Sequence, residues 1–457
     1  EDYSARIAKQ RAIVDSRVDG MMLQDQQEEL ERAELNEIDA LWREVVQLRA
    51  DVEQKQEKAA PSKKFVNKLG GIIIIDSMTT NQSGGNQALY GDINNNIALR
   101  EARFQLKGTG YDVLSYECSV AVQISDTQRA AGLLCKNIML GVKDVPFFQK
   151  IKVGHMKVET CMSERDFLIN APAMTYFSGN TMSFSPHRRL GVGSTMHFLD
   201  DNLRWYNGVY SGKGFTDMSC NLDDTPGMIL NSRVTGTPVF IEDEEGDLRE
   251  VVHVGGSTYW FLAAGDNCSV KLRARPTVFT GSMQYLLTGT IPIYSNYNVE
   301  ECEFVWQKDG FGLVNENFVG NYGGCGTAWA TTLIARCFLG EGNYRTYSKE
   351  GGGFAAAHLA NNIGKSEGNT GTMPDHWGEW EAVAMYEHAD MTNLRNISNA
   401  TYGKMDEYVV GLNWWWTPDL RWTTSWTHAI TNSAKSGTAK TSKSTVNTLD
   451  LQMSVQY

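Results

Sequence analysis

The sequence has no long hydrophobic run. Its longest aliphatic stretch is the four isoleucines Ile72 to Ile75, whereas a transmembrane helix needs about 20 apolar residues. Such a helix is therefore excluded. Proline is also rare, at 10 of 457 residues, while 43 glycines and an aromatic content of 10% favour many strands and turns over helices.

Positive charge, metal-binding patterns and catalytic signatures are lacking as well. The net charge of −12 argues against nucleic acid as a partner. No C-x-x-C pair occurs, so a zinc site is not expected. Without a G-x-S-x-G, H-E-x-x-H or P-loop motif, the sequence predicts no catalytic residue, no metal and no cofactor. No signal peptide is visible in the sequence, which opens on a polar, helix-favouring segment at Glu1, and we expect the chain to be the mature form of an exported protein.

Eight cysteines are scattered along the chain. Their even number permits disulfides in an exported protein, and free thiols are the alternative. They are Cys118, Cys135, Cys161, Cys220, Cys268, Cys302, Cys325 and Cys337.

The last fifty residues show the clearest strand pattern. Apolar residues alternate with polar or small ones in Tyr408 to Trp416, in Leu420 to His428 and in Leu449 to Tyr457, so each segment has one apolar face. The tryptophans crowd next to the turn at Thr417-Pro418-Asp419, as expected of an aromatic girdle at the edge of a membrane-spanning band. The pattern therefore favours an outer-membrane barrel over a soluble β-sandwich.

Similar strand patterns recur from Phe65 to the end of the chain. About sixteen segments are visible, an even number that brings both ends of the sheet to one side, as bacterial barrels require. Short turns alternate with long loops, so we predict an all-β fold, a closed antiparallel transmembrane β-barrel. One long segment, Glu341 to His376, falls on the rim of short turns and has no place in this scheme. The segments begin near Leu69, Leu99, Val113, Ile138, Ile151, Gly191, Leu203, Arg233, Val251, Val299, Phe311, Ala328, Trp380, Tyr408, Leu420 and Asn447.

Residues 1–58 differ from the rest of the chain. They contain no proline and a single glycine, and their composition favours helix. Apolar residues spaced three and four apart predict the seam of an N-terminal α-helical coiled coil. Residues 59–66, which include Pro61, are the predicted linker, and residues 67–457 the predicted barrel. The seam residues are Ile38, Leu41, Val45, Leu48 and Val52.

Six stretches, in the same order along the chain, carry a resemblance to a known family. They are Leu99 to Gly108, Ile138 to Lys143, Ile151 to Lys157, Leu339 to Gly342 with Tyr347 and Phe354, Trp380-Glu381, and Val410 to Trp414. Together they resemble the phosphate-selective porins of the O and P type, which are outer-membrane barrels. The resemblance implies sixteen strands, a homotrimer, a third long loop folded into the lumen and an eyelet lined by cations.

The resemblance assigns anion-binding roles to cations near the second strand. Arg100 occupies the first place of a pair of arginines in the family, but the second place is here Glu101. Arg103 and Lys107 face inward by parity, because the apolar residues between them form the lipid-facing set. We therefore expect Arg100, Arg103 and Lys107 to line the pore.

Further anion-binding cations are implied in two loops. Lys157 matches a lysine that enters the inward loop, and Arg165 is included because it lies in that loop. Lys271, Arg273 and Arg275 match a loop whose arginines form a cationic ladder. In an extended segment these three cations point the same way, and together they could replace the water shell of an anion. The alternative is an alternating charged face on an exposed strand.

These features predict an outer-membrane porin of a diderm bacterium. We expect passive diffusion of small hydrophilic solutes with a preference for anions such as phosphate, and a homotrimer embedded in outer-membrane lipid. The alternative is a structural anchor whose periplasmic coiled coil tethers the membrane to a periplasmic or cell-wall layer. An enzyme of this architecture is the other rival, but the sequence carries none of the catalytic motifs sought above.

The predicted coiled coil can be tested in isolation. We expect residues 1–58 to form a parallel, three-stranded coiled coil in the periplasm, so a peptide of residues 1–60 should be helical and sediment near the mass of three chains. Replacing Leu41 and Leu48 by aspartate places charge in the seam and should unfold the peptide, while the full chain still conducts. Circular dichroism and sedimentation check this, and a stable monomeric helix would contradict it.

Overall fold

The structure, a computed structural model, describes most of the chain from Phe65 onward. The chain divides into two compact units, Glu1–Lys64 and Phe65–Tyr457. The predicted coiled-coil seam lies outside the described residues, so the coiled coil stays a prediction. The described residues are 65–124, 131–165, 179–212, 227–263, 268–270, 272–274, 286–287, 291–293, 296–364, 374–394, 401–435 and 441–457, with Ile7, Lys9 and Arg11.

Sixteen antiparallel strands form one closed barrel. The first strand, β1 (Val66–Gln82), pairs with the last, β22 (Thr441–Gln456), so the sheet has no free edge. A closed barrel satisfies its backbone hydrogen bonds internally, which the membrane interior requires. The other barrel strands are β2 (Asn96–Gly110), β3 (Leu114–Ile124), β4 (Ala131–Val145), β5 (Phe148–Lys157), β6 (Arg188–Phe198), β7 (Leu203–Ser211), β8 (Gly227–Glu242), β9 (Leu248–Ala263), β14 (Tyr297–Lys308), β15 (Phe311–Asn321), β16 (Thr327–Phe338), β19 (Glu379–Asp390), β20 (Thr401–Thr417) and β21 (Leu420–Lys435).

Short strands and helices lie in the described parts of the connections. The strands pair locally, β10 with β13, β11 with β12, and β17 with β18. Among the described residues, no helix has both the length and the apolar character needed to cross a membrane. These elements are β10 (Cys268–Val270), β11 (Arg273–Ala274), β12 (Leu286–Leu287), β13 (Ile291–Ile293), β17 (Tyr344–Ser348), β18 (Gly353–His358), α1 (Gly84–Tyr90), α2 (Met162–Arg165) and α3 (Gly179–Phe184).

The predicted strands and their faces are confirmed. Each of the sixteen predicted segments begins in or next to a barrel strand. Along β20, Val409 is 1% exposed whereas Val410 is 48% exposed, and along β22 Asp450 is 1% exposed whereas Leu451 is 45% exposed. The outward face is apolar and the inward face largely polar, as a barrel with lipid outside and a polar lumen requires.

The tryptophans at the end of β20 form an aromatic cluster on the outside of the barrel. The Trp380 and Trp414 rings stack at 5.1 Å with an interplanar angle of 3°, and Trp416 continues the cluster towards Trp422. The cluster lies next to the β20–β21 turn, where the sequence predicts a girdle. Trp415 points the other way, into the lumen, and is fully buried.

Aspartates shape the short turns on one rim. Asp112, Asp144, Asp201 and Asp309 have positive φ angles of 60°, 56°, 65° and 48°. Asp tolerates this left-handed region because its short side chain bonds the neighbouring backbone. The turns that join β2 to β3, β4 to β5, β6 to β7 and β14 to β15 are therefore tight, as the sequence predicts.

The long segment on this rim folds into the barrel. Residues 339–378 connect β16 to β19, and within them β17 and β18 form a hairpin, named here the inner hairpin. The Tyr347 hydroxyl is 2.5 Å from Nδ1 of His253, a buried residue of β9, and Gln307 of β14 donates to the Arg345 carbonyl at 2.6 Å. The hairpin thus contacts inward-facing residues of the wall.

The described cysteines include six free thiols, which are Cys118, Cys135, Cys161, Cys302, Cys325 and Cys337. Cys118 and Cys302 are exposed on the outside of their strands, whereas Cys161 and Cys325 are buried. The sequence left disulfides and free thiols as alternatives, and these six cysteines are free thiols.

A charge on the outer face should destabilise the barrel. Val410 points outward on β20 between the aromatic residues Tyr408 and Trp414, near the middle of the apolar band. Val410→Arg should therefore cost about 2–4 kcal/mol of folding free energy, the range for arginine at the bilayer midplane. Urea titration in lipid vesicles measures it, with Val410→Met as the uncharged control. Equal stability of the two variants would contradict an outward Val410.

Candidate functional site

Two segments enter the lumen from opposite rims. The first is loop 3, residues 158–187, which connects β5 to β6 on the rim of long loops and is described for residues 158–165 and 179–187. The second is the inner hairpin, which enters from the rim of short turns. The described parts of both segments contact inward-facing side chains of the wall.

Loop 3 is held to the wall by carboxylates of two neighbouring strands. The Met162 backbone N–H donates to Glu303 Oε2 of β14 at 2.7 Å, and the Ser163 N–H donates to Glu316 Oε1 of β15 at 2.8 Å. The Ser163 hydroxyl also donates to Glu316, at 2.5 Å. Charge-assisted bonds of this kind are about twice as strong as neutral ones, so they fix the turn of loop 3 in place.

The second described part of loop 3 packs on an apolar part of the wall. The Phe184 ring stacks on Phe318 of β15 with ring centroids 5.7 Å apart. The Tyr259 hydroxyl of β9 donates to the Phe184 carbonyl at 2.8 Å. Asn180 donates to the Thr332 hydroxyl of β16 at 2.9 Å. Both described ends of the loop are thus attached to the same side of the barrel.

The inner hairpin is attached by a buried ion pair. Arg345 forms two hydrogen bonds to Glu381 of β19, at 3.1 and 2.8 Å, and both side chains are fully buried. The Arg345 guanidinium also lies 4.6 Å from the centroid of the Trp415 ring. The guanidinium of Arg336 in β16 lies 3.8 Å from the centroid of the Phe354 ring. The planar guanidinium suits both the bidentate pair and the stacking.

The two inward segments meet at the tip of the hairpin. The Gly352 carbonyl accepts from Arg233 of β8 at 3.3 Å. Gly352 has a φ of 65°, and a Cβ there would lie 2.9 Å from the Thr235 hydroxyl, so both the backbone conformation and the space favour glycine. Gly351 lies against the guanidinium of Arg165 in loop 3, where a Cβ would clash.

An open cavity of about 620 Å³ remains beside these segments, along strands β4 to β7. Charged groups dominate its lining. The cations are Lys143, Lys150, Lys152, Lys157, Arg165 and Arg204. The carboxylates are Asp144, Glu159, Asp201 and Glu350.

One carboxylate of the cavity is surrounded by cations. Glu159 of loop 3 accepts from Arg204 at 2.5 Å and from Lys152 at 3.3 Å. Burial raises the pKa of Glu159, but the attraction of Arg204, Lys152 and Arg165 outweighs it and holds the pKa well below its usual value. Glu159 therefore stays ionised and neutralises part of this positive wall.

Two further lysines of the same wall lie beside each other. Lys143 and Lys150 are directly opposite each other in the β4–β5 register, and both are half-buried in the cavity lining. Within the described part of the chain, neither forms a salt bridge. They present six ammonium protons to the cavity, since each lysine carries three donors.

Of the three cations predicted near the second strand, Arg100 and Arg103 are buried inside the barrel. The β1–β2 register shifts between Ile74 and Ile75, so Arg100 has no partner residue on β1. Because of this β-bulge, the consecutive residues Arg100 and Glu101 are both buried on the inside of the barrel. Arg100 pairs with Asp76 at 3.0 Å and Arg103 with Glu101 at 2.5 Å. Lys107 is exposed near the end of β2.

The predicted loop cations fall into two groups. Lys157 and Arg165 line the cavity, and Lys157 donates to the Glu164 carbonyl. Lys271 and Arg275 lie outside the described residues, and Arg273 is described only by its backbone, in β11 opposite Leu287. The ladder therefore stays a prediction.

Four cavity cations were not predicted from the sequence, namely Lys143, Lys150, Lys152 and Arg204. A signal for three of them was present, because Lys143 alternates with the outward Leu140 and Val142, and Lys150 and Lys152 flank Ile151. Parity alone would have assigned them to the lumen.

A closed sixteen-stranded barrel, apolar outside and narrowed inside by a folded-in loop, defines the class of outer-membrane porins. Within that class, the family described as phosphate-selective porin O and P matches residues 79–457, and the chain belongs to this family. The resemblance inferred from the sequence is thereby confirmed.

Solved structures of other porins share the fold at low identity. OmpF of Salmonella typhi, in complex with daunomycin, is 9% identical with a TM-score of 0.50, and the match covers 86% of this chain and 97% of that one. An anion-selective porin from Comamonas acidovorans is 9% identical with a TM-score of 0.49, covering 86% and 100%. OmpT of Vibrio cholerae, in a trimer form, is 12% identical with a TM-score of 0.48, covering 86% and 99%. No curated protein matches the chain.

Removing Arg345 should release the inner hairpin. Arg345→Met leaves the buried Glu381 without its ion partner, and breaking such a pair costs about 3–5 kcal/mol. We expect a lower unfolding temperature and a larger, noisier single-channel conductance. The double variant Arg345→Met with Glu381→Gln should recover part of the stability, because the side chain that lost its ion partner is then uncharged. Unchanged conductance in the single variant would show that the hairpin does not narrow the channel.

Proposed function

We propose that this porin is a passive diffusion channel that prefers small anions such as phosphate. The observation that carries the proposal is the cavity wall of β4 and β5, where Lys143 and Lys150 face each other without a salt bridge in the described part of the chain. An anion passing this wall would meet ammonium donors that form no salt bridge among the described residues.

The charge balance of the cavity supports anion preference. Six cationic side chains and four carboxylates line it, an excess of two positive charges. A cleft bounded by low-dielectric protein concentrates such an excess and raises the local concentration of ions of opposite charge. The net charge of the whole chain, −12, is carried outside this cavity, so it does not decide which ions the cavity attracts.

Salt-bridged cations contribute less to selectivity. Lys152 and Arg204 share Glu159, and Arg100 and Arg103 are paired with Asp76 and Glu101. Their fields are partly cancelled at short range. Lys143 and Lys150 are therefore the main phosphate-attracting groups in this proposal.

The predicted ladder would extend this path towards the rim of long loops. Its backbone at β11 packs against α3 of loop 3, and Leu272, which separates Lys271 from Arg273, is 2% exposed. A segment anchored in this way would bring Lys271, Arg273 and Arg275 to the loop that narrows the channel. An anion would then pass from the ladder to the β4–β5 wall.

A homotrimer and a periplasmic coiled coil complete the proposal. Three barrels side by side would place three N-terminal segments on one symmetry axis, which suits a parallel three-stranded seam. The alternative role, an anchor that tethers the membrane to a cell-wall layer, uses the same segment and does not exclude a pore. Envelope detachment after deletion of residues 1–58 would favour the anchor.

Selectivity can be measured directly. In a planar bilayer with a potassium chloride gradient, the reversal potential of the unaltered protein should show a preference for chloride. Lys143→Gln with Lys150→Gln removes the two unpaired charges and should lower the chloride-to-potassium permeability ratio about two- to fivefold, because less anion is concentrated at the wall. Phosphate in place of chloride should show the same loss.

The matched control is Lys308→Gln. Lys308 lies on the same rim as the β4–β5 turn but points outward, so its removal should leave the reversal potential unchanged. Cation preference in the unaltered protein, or an equal effect of the control, would refute the proposal.

A further inference from the structure

Three carboxylates meet on the wall behind loop 3. Glu301 and Glu303 both point inward from β14, and Glu316 is directly opposite Glu303 on β15. One oxygen from each lies within 4.8 Å of the other two, and all three side chains are buried. Buried carboxylates repel one another strongly unless cations or donors compensate them.

Two of the three carboxylates have compensating partners. Glu303 accepts from Arg233 at 2.5 and 3.1 Å and lies 3.0 Å from His253 Nε2. Glu316 accepts from the N–H and the hydroxyl of Ser163. Each of these two is therefore satisfied by a group of the wall or of loop 3.

Glu301 has no such partner. It is 6% exposed, and neither of its carboxylate oxygens has a hydrogen-bond partner among the described residues. Its oxygen is directed into the space shared with Glu303 and Glu316. Buried polar groups are nearly always satisfied, so an orphaned carboxylate beside two others calls for a ligand that supplies positive charge.

The spacing of the oxygens is compatible with calcium. Two oxygens bound to one calcium ion, at about 2.3–2.6 Å each, are at most about 5 Å apart, whereas magnesium at about 2.0–2.1 Å requires them within about 4.2 Å. The three oxygens all lie within 4.8 Å of one another, and the calcium limit covers the whole of that range, whereas the magnesium limit covers only its shorter part. Calcium also accepts irregular geometry with carboxylate oxygens, including bidentate ones.

We propose that Glu301, Glu303 and Glu316 bind one calcium ion in the lumen. The ion neutralises the orphaned Glu301 and joins β14 to β15 at the point where Met162 and Ser163 are attached. It thereby stabilises loop 3 in its inward position. This role concerns the stability of the loop and is independent of the anion preference proposed above.

Calcium binding can be tested on the full chain refolded in detergent, which avoids lipopolysaccharide, itself a binder of divalent cations. After treatment with a chelator, calcium chloride is titrated by calorimetry and the unfolding temperature is followed by circular dichroism. We expect saturable binding of one ion per chain, an unfolding temperature at least several degrees higher, and binding of magnesium at least tenfold weaker.

The variant Glu301→Gln keeps the shape of the side chain but removes its charge. It should weaken calcium binding at least tenfold and abolish the thermal shift. In chelator it should be at least as stable as the unaltered protein, because one repelling carboxylate is gone. This last measurement also shows that the variant folds.

The matched control is Glu245→Gln in the other acidic cluster, formed by Asp243, Glu245 and Asp247 in the β8–β9 turn. It should leave the calorimetric isotherm unchanged. If calcium neither binds nor stabilises the unaltered protein, or if Glu301→Gln responds as the unaltered protein does, the proposed site is refuted. A result in which only Glu245→Gln loses binding would move the site to the turn.

Discussion

The need to satisfy every backbone hydrogen bond without water determines this structure. Pairing of β1 with β22 closes the sheet, and the closed sheet alone makes a spanning structure out of strands. Closure fixes which face of each strand meets lipid, because side chains alternate strictly. The same alternation supplies a dense set of inward polar groups, from which the lumen is built.

The lumen behaves as a second, polar core. Arg345 with Glu381 and Arg233 with Glu303 are buried ion pairs that attach the inner hairpin and border loop 3. Such pairs contribute little net stability compared with well-packed apolar groups, but they are costly to break. They therefore define one position for each inward segment while leaving the remaining space, beside β4 to β7, open to water and solutes.

The barrel could be predicted from the sequence because its signal is local. Alternation in Tyr408 to Trp416 and in Leu449 to Tyr457 is visible without any knowledge of partners, and the turns carry Asp or Pro-Asp. The inner hairpin could not be predicted, because only its contacts with His253, Gln307 and Glu381, distant in sequence, make it an inward segment.

The site, too, could be predicted only where its signal is local in the sequence. The inward direction of Arg103 can be predicted from the alternation of side chains. Arg100 reaches the lumen only because of a β-bulge, and the pattern of apolar residues does not predict that shift in register. The pairing of Arg204 with Glu159 joins β7 to loop 3 and depends on how that loop folds. The unpaired state of Lys143 and Lys150 is likewise a property of their neighbours in space.

The arrangement of charge also has a direction across the channel. The lysines of β4 and β5 are on one side of the lumen, and the glutamates of β14 and β15 are six strands further around the ring. Only the lysines border the open cavity, because the glutamates are buried behind loop 3, where Arg233, His253 and Ser163 compensate two of them. The positive potential of this pair of lysines is therefore one-sided, and it would draw an anion away from the barrel axis and along the β4–β5 wall.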